Sequence, residues 1–284
     1  MRLVLMMVLG ASLALGGGVQ RGGQLVGVVG TGMVAEGDSL IEMARRFDLG
    51  FGEIAVANPG LDPFVPAVGT RVVLPTAWIV PEVDRGTLLV NLSEMRLFLL
   101  TGQGGESRVV TFPVGIGIEE AATPIGSYRV QAKELDPTWL VPRSVRLLEP
   151  DLPEAVPPGP DNPLGTHALR LDVGTILVHG TNRPWGVGRR VSHGCIRLYP
   201  EDIPVLYRLV EVGTQVRVVR QPVKVGLAEG RVFVEVHQDD EVRVNLLEEA
   251  RRLLRRRGLF ERVDPDRLEA AVRERTGIPV DVGR

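Results

Sequence analysis

Thirty-four glycines and 21 prolines punctuate this chain of 284 residues and restrict it to short elements joined by tight turns. Proline fixes φ and removes a backbone donor, while glycine admits the conformations that turns require. From 86 to about 220 the breakers separate short apolar runs at 88–91, 96–100, 108–113, 127–131, 168–171 and 175–179. Such runs predict a mostly β domain, either a sandwich or a barrel. A helix is expected over 201–210, where Pro204 is tolerable only in the first turn. A strand over 216–219 closes the region.

A smaller unit precedes it. Ser39 and Glu42 have capping-box spacing, and Leu40, Met43, Ala44 and Phe47 then share one helical face. A second helix over 53–57 stops at Asn58-Pro59-Gly60, and a strand over 70–74 follows. Residues 28–76 therefore read strand, helix, helix, strand, with 75–81 as a linker. After the β region, 222–284 predicts a small α/β extension with an alternating run at 231–237 and charged helices at 246–257 and 265–275. Its Arg-rich stretch, 251–257, has Glu248, Glu249 and Glu261 nearby and reads as a solvated helix face.

The formal net charge is −2 and aromatics are 5% of residues, which disfavours nucleic acid as a partner. Arg2, an apolar stretch over 3–15 and the small residues Ala14 and Gly16 have the form of a signal peptide over 1–16. The stretch is shorter than the roughly 20 residues of a membrane-spanning helix. The expectation is an exported protein of the periplasm or cell wall, soluble after cleavage.

The chain holds one cysteine, Cys195, so no internal disulfide is available to it. A thiol is a useful nucleophile when a base is close. His179 follows the apolar run Ile176-Leu177-Val178, and Gly180 permits a sharp turn after it. The loop from 180 to 194 can return Cys195 to His179 as a nucleophile–base pair. Gly194 lets a carbonyl approach, with the N–H groups of 194 and 195 aimed at a developing oxyanion. Arg197 suits either a substrate carboxylate or a loop-fixing role. Ser192 and His193 suit loop shaping, and Trp185 suits either a gate or core packing.

The stretch His179-Gly180, a Gly-containing loop, then Ser192-His193-Gly194-Cys195-Ile196-Arg197 closely resembles the signature of the YkuD-type L,D-transpeptidases. Thr123-Pro124-Ile125-Gly126-Ser127-Tyr128 and the segment 158–165 look most like the subgroup that attaches Braun's lipoprotein to peptidoglycan. Residues 28–76 resemble a LysM domain at Glu36-Gly37-Asp38-Ser39-Leu40, at 44–47 and at Ala57-Asn58-Pro59-Gly60-Leu61. The resemblances imply a YkuD-like β-sandwich over 86–220, a small α+β LysM domain over 28–76 and the C-terminal extension.

They also imply a mechanism in which Cys195 attacks the diaminopimelate carbonyl of a tetrapeptide stem and releases D-alanine. An amine then takes the acyl group, either a second diaminopimelate or a lipoprotein lysine. The Gly180 carbonyl would orient His179. Peptidoglycan stem peptides and glycan strands are the implied partners, an outer-membrane lipoprotein an alternative acceptor, and carbapenems the implied inhibitors. No cofactor or metal is implied. The glycan would contact Gly37, Asp38, Ser39, Asn58, Pro59 and Leu61.

Two other readings fit the residues. His179, His193 and Cys195 could ligate zinc with water in a fourth place, although no His-Glu-x-x-His frame supplies a base. The chain could also be a glycan-binding scaffold with an inactive cysteine domain.

Overall fold

The computed structural model describes residues 24–82, 84–101, 108–174 and 176–284. The expected signal peptide lies outside them. The N-terminal unit contains β1 (Leu25–Gly27), β2 (Gly30–Met33), α1 (Leu40–Arg46), α2 (Phe51–Val56), β3 (Arg71–Leu74) and β4 (Ala77–Ile79). The expected strand–helix–helix–strand order is β2, α1, α2, β3, with β2 and β3 antiparallel. The capping box forms: Glu42 N–H donates to Ser39 Oγ at 3.3 Å, and Ser39 N–H to the Glu42 carboxylate at 3.0 Å.

The stretch expected to be a linker is a buried strand instead. β4 pairs with β1, and Trp78 is 3% exposed. Its indole N–H donates to Glu53 at 3.0 Å, so a large side chain with a polar tip is fully accommodated.

The central region contains β5 (Leu88–Asn91), β6 (Arg96–Thr101), β7 (Arg108–Pro113), β8 (Ile116–Gly117), β9 (Gly126–Leu135), β10 (Trp139–Leu140), α3 (Arg143–Leu148), β11 (Ala155–Val156), β12 (His167–Leu171), β13 (Leu177–His179), β14 (Arg190–Ser192), β15 (Ile196–Arg197), α4 (Ile203–Leu209) and β16 (Gln215–Val219). Eight strands form one sheet in the order β15-β13-β12-β9-β16-β5-β6-β7. Residues from both ends of that order, such as Ile196 and Phe112, share one core. The expected sandwich is therefore one sheet curled around its own core, with α4 contributing Ile203 and Leu206.

Side chains alternate across a strand, and here both faces of β5 and β6 are buried. Leu88, Val90, Leu97 and Leu99 face the sheet's core. Leu89, Phe98 and Leu100 join Met43, Leu49, Ile54 and Trp78 of the N-terminal unit in a second core. The unit and the sheet thus share one apolar interior.

The C-terminal region, β17 (Val223–Ala228), β18 (Arg231–Val236), α5 (Leu246–Arg256), α6 (Pro265–Glu274) and β19 (Val280–Asp281), builds a third core around Val225, Val234, Leu254 and Leu268. Glu248 and Glu249 pair with Arg251 and Arg252 along α5, as a solvated face requires.

A buried ionic cluster joins this region to the rest. Lys224 Nζ lies 2.7 Å from both Glu94 and Glu235, and His237 Nε2 lies 2.7 Å from Glu235. Glu235 also accepts from Ile79 N–H, and Glu94 from Asn91. A cavity of about 460 Å³ adjoins the cluster, away from Cys195, with Glu53, Glu94, Arg190, His237, Asp239 and Arg275 in its wall.

Candidate active site

Two short parallel strands bring the candidate residues together. β13 and β15 pair with Val178 opposite Ile196 and His179 opposite Arg197. Val178 and Ile196 point into the core. By alternation, Leu177, His179, Cys195 and Arg197 share the other face. The loop from 180 to 194 therefore returns Cys195 to the edge of β13, level with Leu177 and on the face that carries His179. Cys195 is half-buried and interacts with the Leu177 backbone.

Glycine makes this return possible at two positions. A Cβ at 180 would stand 2.9 Å from Ile203 Cγ2 and 3.3 Å from the Leu164 carbonyl. Gly194 has φ +100°, a conformation costly for other residues, and packs beneath the carbonyls of Ala121 and Ala122. Ser192 is buried, and its hydroxyl donates to the Cys195 carbonyl at 2.6 Å, fixing the peptide that follows the thiol. His193 is exposed. Trp185 is 54% exposed, so it does not pack in the core.

The motif segments outside the loop act as staples. The Thr123 hydroxyl accepts from Gly117 N–H at 2.9 Å, and the Tyr128 hydroxyl donates to the Pro124 carbonyl at 2.9 Å. The buried Asn162 amide donates to the carbonyls of Pro137, Val156 and Pro157. It thereby holds the loop that brings the Leu164 backbone to His179.

His179 is 2% exposed, and its Nδ1 lies 2.6 Å from the Gly180 carbonyl. A carbonyl only accepts, so Nδ1 carries the proton and Nε2 keeps its lone pair. Burial, reinforced by the Arg197 charge, pushes the imidazole pKa down to about 3 against the pull of the Gly180 and Leu164 backbone. Burial likewise pushes the Cys195 thiol up, although Leu177 and Arg197 oppose it. Both directions favour a neutral thiol and a neutral imidazole at rest. Arg197 is itself held below its ordinary value by burial, and its Nε has no hydrogen-bond partner.

Among the described residues, Glu94, Glu235 and His237 are the only three or more candidate metal ligands that converge. His179, His193 and Cys195 do not converge in this way, so the geometry gives the zinc reading no site. At Glu94, Glu235 and His237, the Lys224 ammonium already bonds both carboxylates.

A family model described as the L,D-transpeptidase catalytic domain, YkuD, matches residues 85–218. The probable L,D-transpeptidase YbiS of Escherichia coli K12 is 37% identical over 224 residues, which cover 76% of this chain and 72% of that protein. The probable L,D-transpeptidase ErfK/SrfK of the same strain is 34% identical over 281 residues, covering 92% and 88%. The probable L,D-transpeptidase YcfS is 38% identical over 212 residues, covering 72% and 66%.

The chain belongs to the L,D-transpeptidase family. That makes it an acyltransferase by family. In this L,D-transpeptidase the N-terminal residues read as glycan contacts divide into two sets. Asn58 is buried, its amide donating to the Ile54 and Val73 carbonyls and accepting from Val73 N–H, so it is a staple between α2 and β3 with both amide hydrogens used inside the protein. Asp38 pairs with Arg46, Ser39 caps α1, and Leu61 packs against the second core. Gly37 and Pro59 stay exposed.

Sequence reasoning missed three groups packed on the chain that flanks Cys195. The buried Tyr199 hydroxyl donates to the Leu49 carbonyl at 2.9 Å. Leu49–Gly52 backbone touches the loop before Cys195. Asp48 and Asp202 face each other, and Asp48 Oδ1 and Asp202 Oδ2 are buried without a hydrogen-bond partner. Burial and neighbouring carboxylates raise both, Asp48 to about 7, despite the Arg96 charge. Asp48 has φ +57°, but its Asp–Leu–Gly context carries no signal for a partner at position 202.

Proposed function

We propose that this protein is a peptidoglycan L,D-transpeptidase whose nucleophile is Cys195 and whose base is His179. Cys195 Sγ attacks the carbonyl of the L-centre of diaminopimelate in a tetrapeptide stem, and its proton passes to His179 Nε2. The bond to the terminal D-alanine breaks, and the departing amine takes that proton. A thioester remains on Cys195. An acceptor amine attacks the thioester, gives its proton to His179, and sulfur recovers it as the carbon–sulfur bond breaks. The N–H groups of Gly194 and Cys195 receive the oxyanion, worth about 10²–10³ in rate per donor.

The observation that carries this reading is the β13–β15 pairing, which sets a neutral, Gly180-oriented imidazole on the same face as Cys195. The Gly180 carbonyl serves as the third member of the constellation. Arg197 is a half-buried cation with a buried, unpaired Nε, and it is assigned to a carboxylate of the stem peptide. The acceptor is a second diaminopimelate amine, giving a 3–3 cross-link, or the lysine of an outer-membrane lipoprotein. Work in the periplasm or cell wall follows from the substrate. Residues 28–76 serve as a LysM module that holds a glycan strand at the loops around its exposed Gly37 and Pro59.

Intact-protein mass spectrometry tests the chemistry. Incubation with a tetrapeptide stem should give an adduct lighter than the stem by one D-alanine, and meropenem should give a drug-sized adduct. Both should be absent from Cys195→Ala and indifferent to a zinc chelator. A folded wild-type protein with neither adduct would overturn the reading.

A further inference from the structure

The N-terminal unit touches the catalytic loop through backbone. The first turn of a helix has N–H groups with no partner inside the helix, and side chains usually cap them. At α2 the N-cap is Gly50, which has no side chain. The loop before the nucleophile does the capping: Phe51 N–H donates to the Val187 carbonyl and Gly52 N–H to the Gly188 carbonyl, both at 3.1 Å.

The contact is as close as backbones allow. A Cβ on Gly50 would lie 2.8 Å from Gly188 Cα, and one on Gly188 would lie 2.3 Å from Phe51 N. On its other side the loop is held by the sheet. Gly188 N–H donates to the Val114 carbonyl at 3.1 Å, and Ile116 N–H to the Arg189 carbonyl at 3.0 Å. The Arg189 guanidinium lies over the Phe51 ring at 3.7 Å. From Arg189 the chain enters β14, then the Ser192–Cys195 turn.

The same turn also grips the chain after the nucleophile. Tyr199 donates to the Leu49 carbonyl, and Arg45 makes two bonds to Glu201 at 2.7 and 2.8 Å. Residues 187–189 and 199–201 are thus both anchored on 45–52, and Cys195 lies between the anchors.

We propose that Leu49–Gly52 of the N-terminal unit is a positioning element for Cys195, so that the unit is a working part of the active site as well as a glycan module. This rests on the transpeptidase reading for its chemistry, and on geometry alone for its mechanics. Displacing a nucleophile by about 1 Å can lower turnover about 100-fold.

The test uses the full-length protein and a soluble tetrapeptide stem, which has no glycan for the unit to hold. Gly50→Ala should lower kcat at least about tenfold with KM within about twofold, since it moves the thiol rather than the binding groups. Phe51→Ala should lower kcat by roughly three- to tenfold, and Phe51→Tyr, which keeps the ring under Arg189, should restore it. Val234→Ala, which empties space in the distant third core, serves as a control for lost stability and should leave kcat unchanged. The rate of Cys195 alkylation by iodoacetamide should change in Gly50→Ala and Phe51→Ala but not in Val234→Ala.

Wild-type kcat and alkylation rate in both Gly50→Ala and Phe51→Ala would overturn the proposal. A wild-type protein that alkylates without turning over stem peptide would instead count against the transpeptidase reading. In that case the alkylation rates of the variants still decide the positioning claim. If Gly50→Ala fails to fold, the Phe51 series carries the test.

Discussion

Two buried ionic clusters of this molecule treat charge in opposite ways. At the C-terminal junction, Lys224, Glu94 and Glu235 are each at most 3% exposed, and every charge has a partner. Burial alone would lower the Lys224 pKa, but the field of Glu235 and Glu94 outweighs it and keeps the ammonium charged. At the candidate active site, Arg197 Nε is buried without a partner, while His179 and Cys195 escape charge by staying neutral. The contrast separates a cluster that closes a structure from one left open for an incoming group. A saturated set of ions has nothing to offer a ligand. An unsaturated one holds free energy that a substrate carboxylate and a transferred proton can release.

The sharpest break would come from His179. His179→Gln should lower acyl-enzyme formation by about 10²–10⁴-fold, because general-base transfer is lost. Stopped-flow acylation by a stem peptide measures it, and a loss below fivefold would remove the base from the scheme.

Lys224→Met comes next. It leaves two carboxylates buried without their cation and should lower unfolding free energy by about 3–5 kcal/mol in denaturant titration. A loss under 1 kcal/mol would mean that the junction is not the closed cluster described.

Arg197→Met should behave in the opposite sense. Removing a half-buried cation whose Nε has no partner should leave stability level or slightly higher, while kcat/KM for the stem peptide falls about 10–100-fold. A destabilisation matching that of Lys224→Met would erase the distinction between the two clusters.

The smallest effect is in pH dependence. Below about 6.5, unfolded His179 binds a proton that the folded ring, at about 3, refuses. Its contribution therefore makes stability fall as pH falls toward 3. The Asp48–Asp202 pair runs the other way. The folded pair keeps a proton above about pH 4 that the unfolded carboxylates have lost, so its contribution falls as pH rises toward 7. Between pH 4 and 6.5 the two slopes oppose. His179→Gln should leave a negative slope and Asp48→Asn/Asp202→Asn a positive one, each about 1.4 kcal/mol per pH unit. Equal slopes in both variants would refute the assignment.

Features encoded locally were legible in the sequence. The apolar runs between Gly and Pro correspond to β5, β6, β7, β9, β12 and β16, and Ser39 with Glu42 marks the start of α1. The return of the chain from His179 to Cys195 was legible because Gly180 and Gly194 mark its turns and only a short loop lies between them. β4 was not, because three apolar residues flanked by prolines look the same in a linker and in a strand. Asn58 was read as a sugar contact because its position in a motif does not reveal that its amide points inward to Val73. The contact between Gly50 and Gly188 left no trace because a backbone crossing has no side-chain pattern. The pairing of Asp48 with Asp202, like that of Glu94 with Lys224, joins residues too far apart for any periodicity to report.

The junction cluster also bears on the order in which the chain can become native. Glu235 accepts from Ile79 N–H across 156 residues, and Lys224 reaches Glu94 across 130. Loops that long close slowly, and nothing rewards them until both ends exist. While a ribosome is still making residue 220, Glu94 has no cation and the second strand edge of the N-terminal unit has no cap. The first third of the protein therefore cannot finish folding until the last quarter has been made, and a chain truncated before Lys224 should be a target for proteolysis along its whole length.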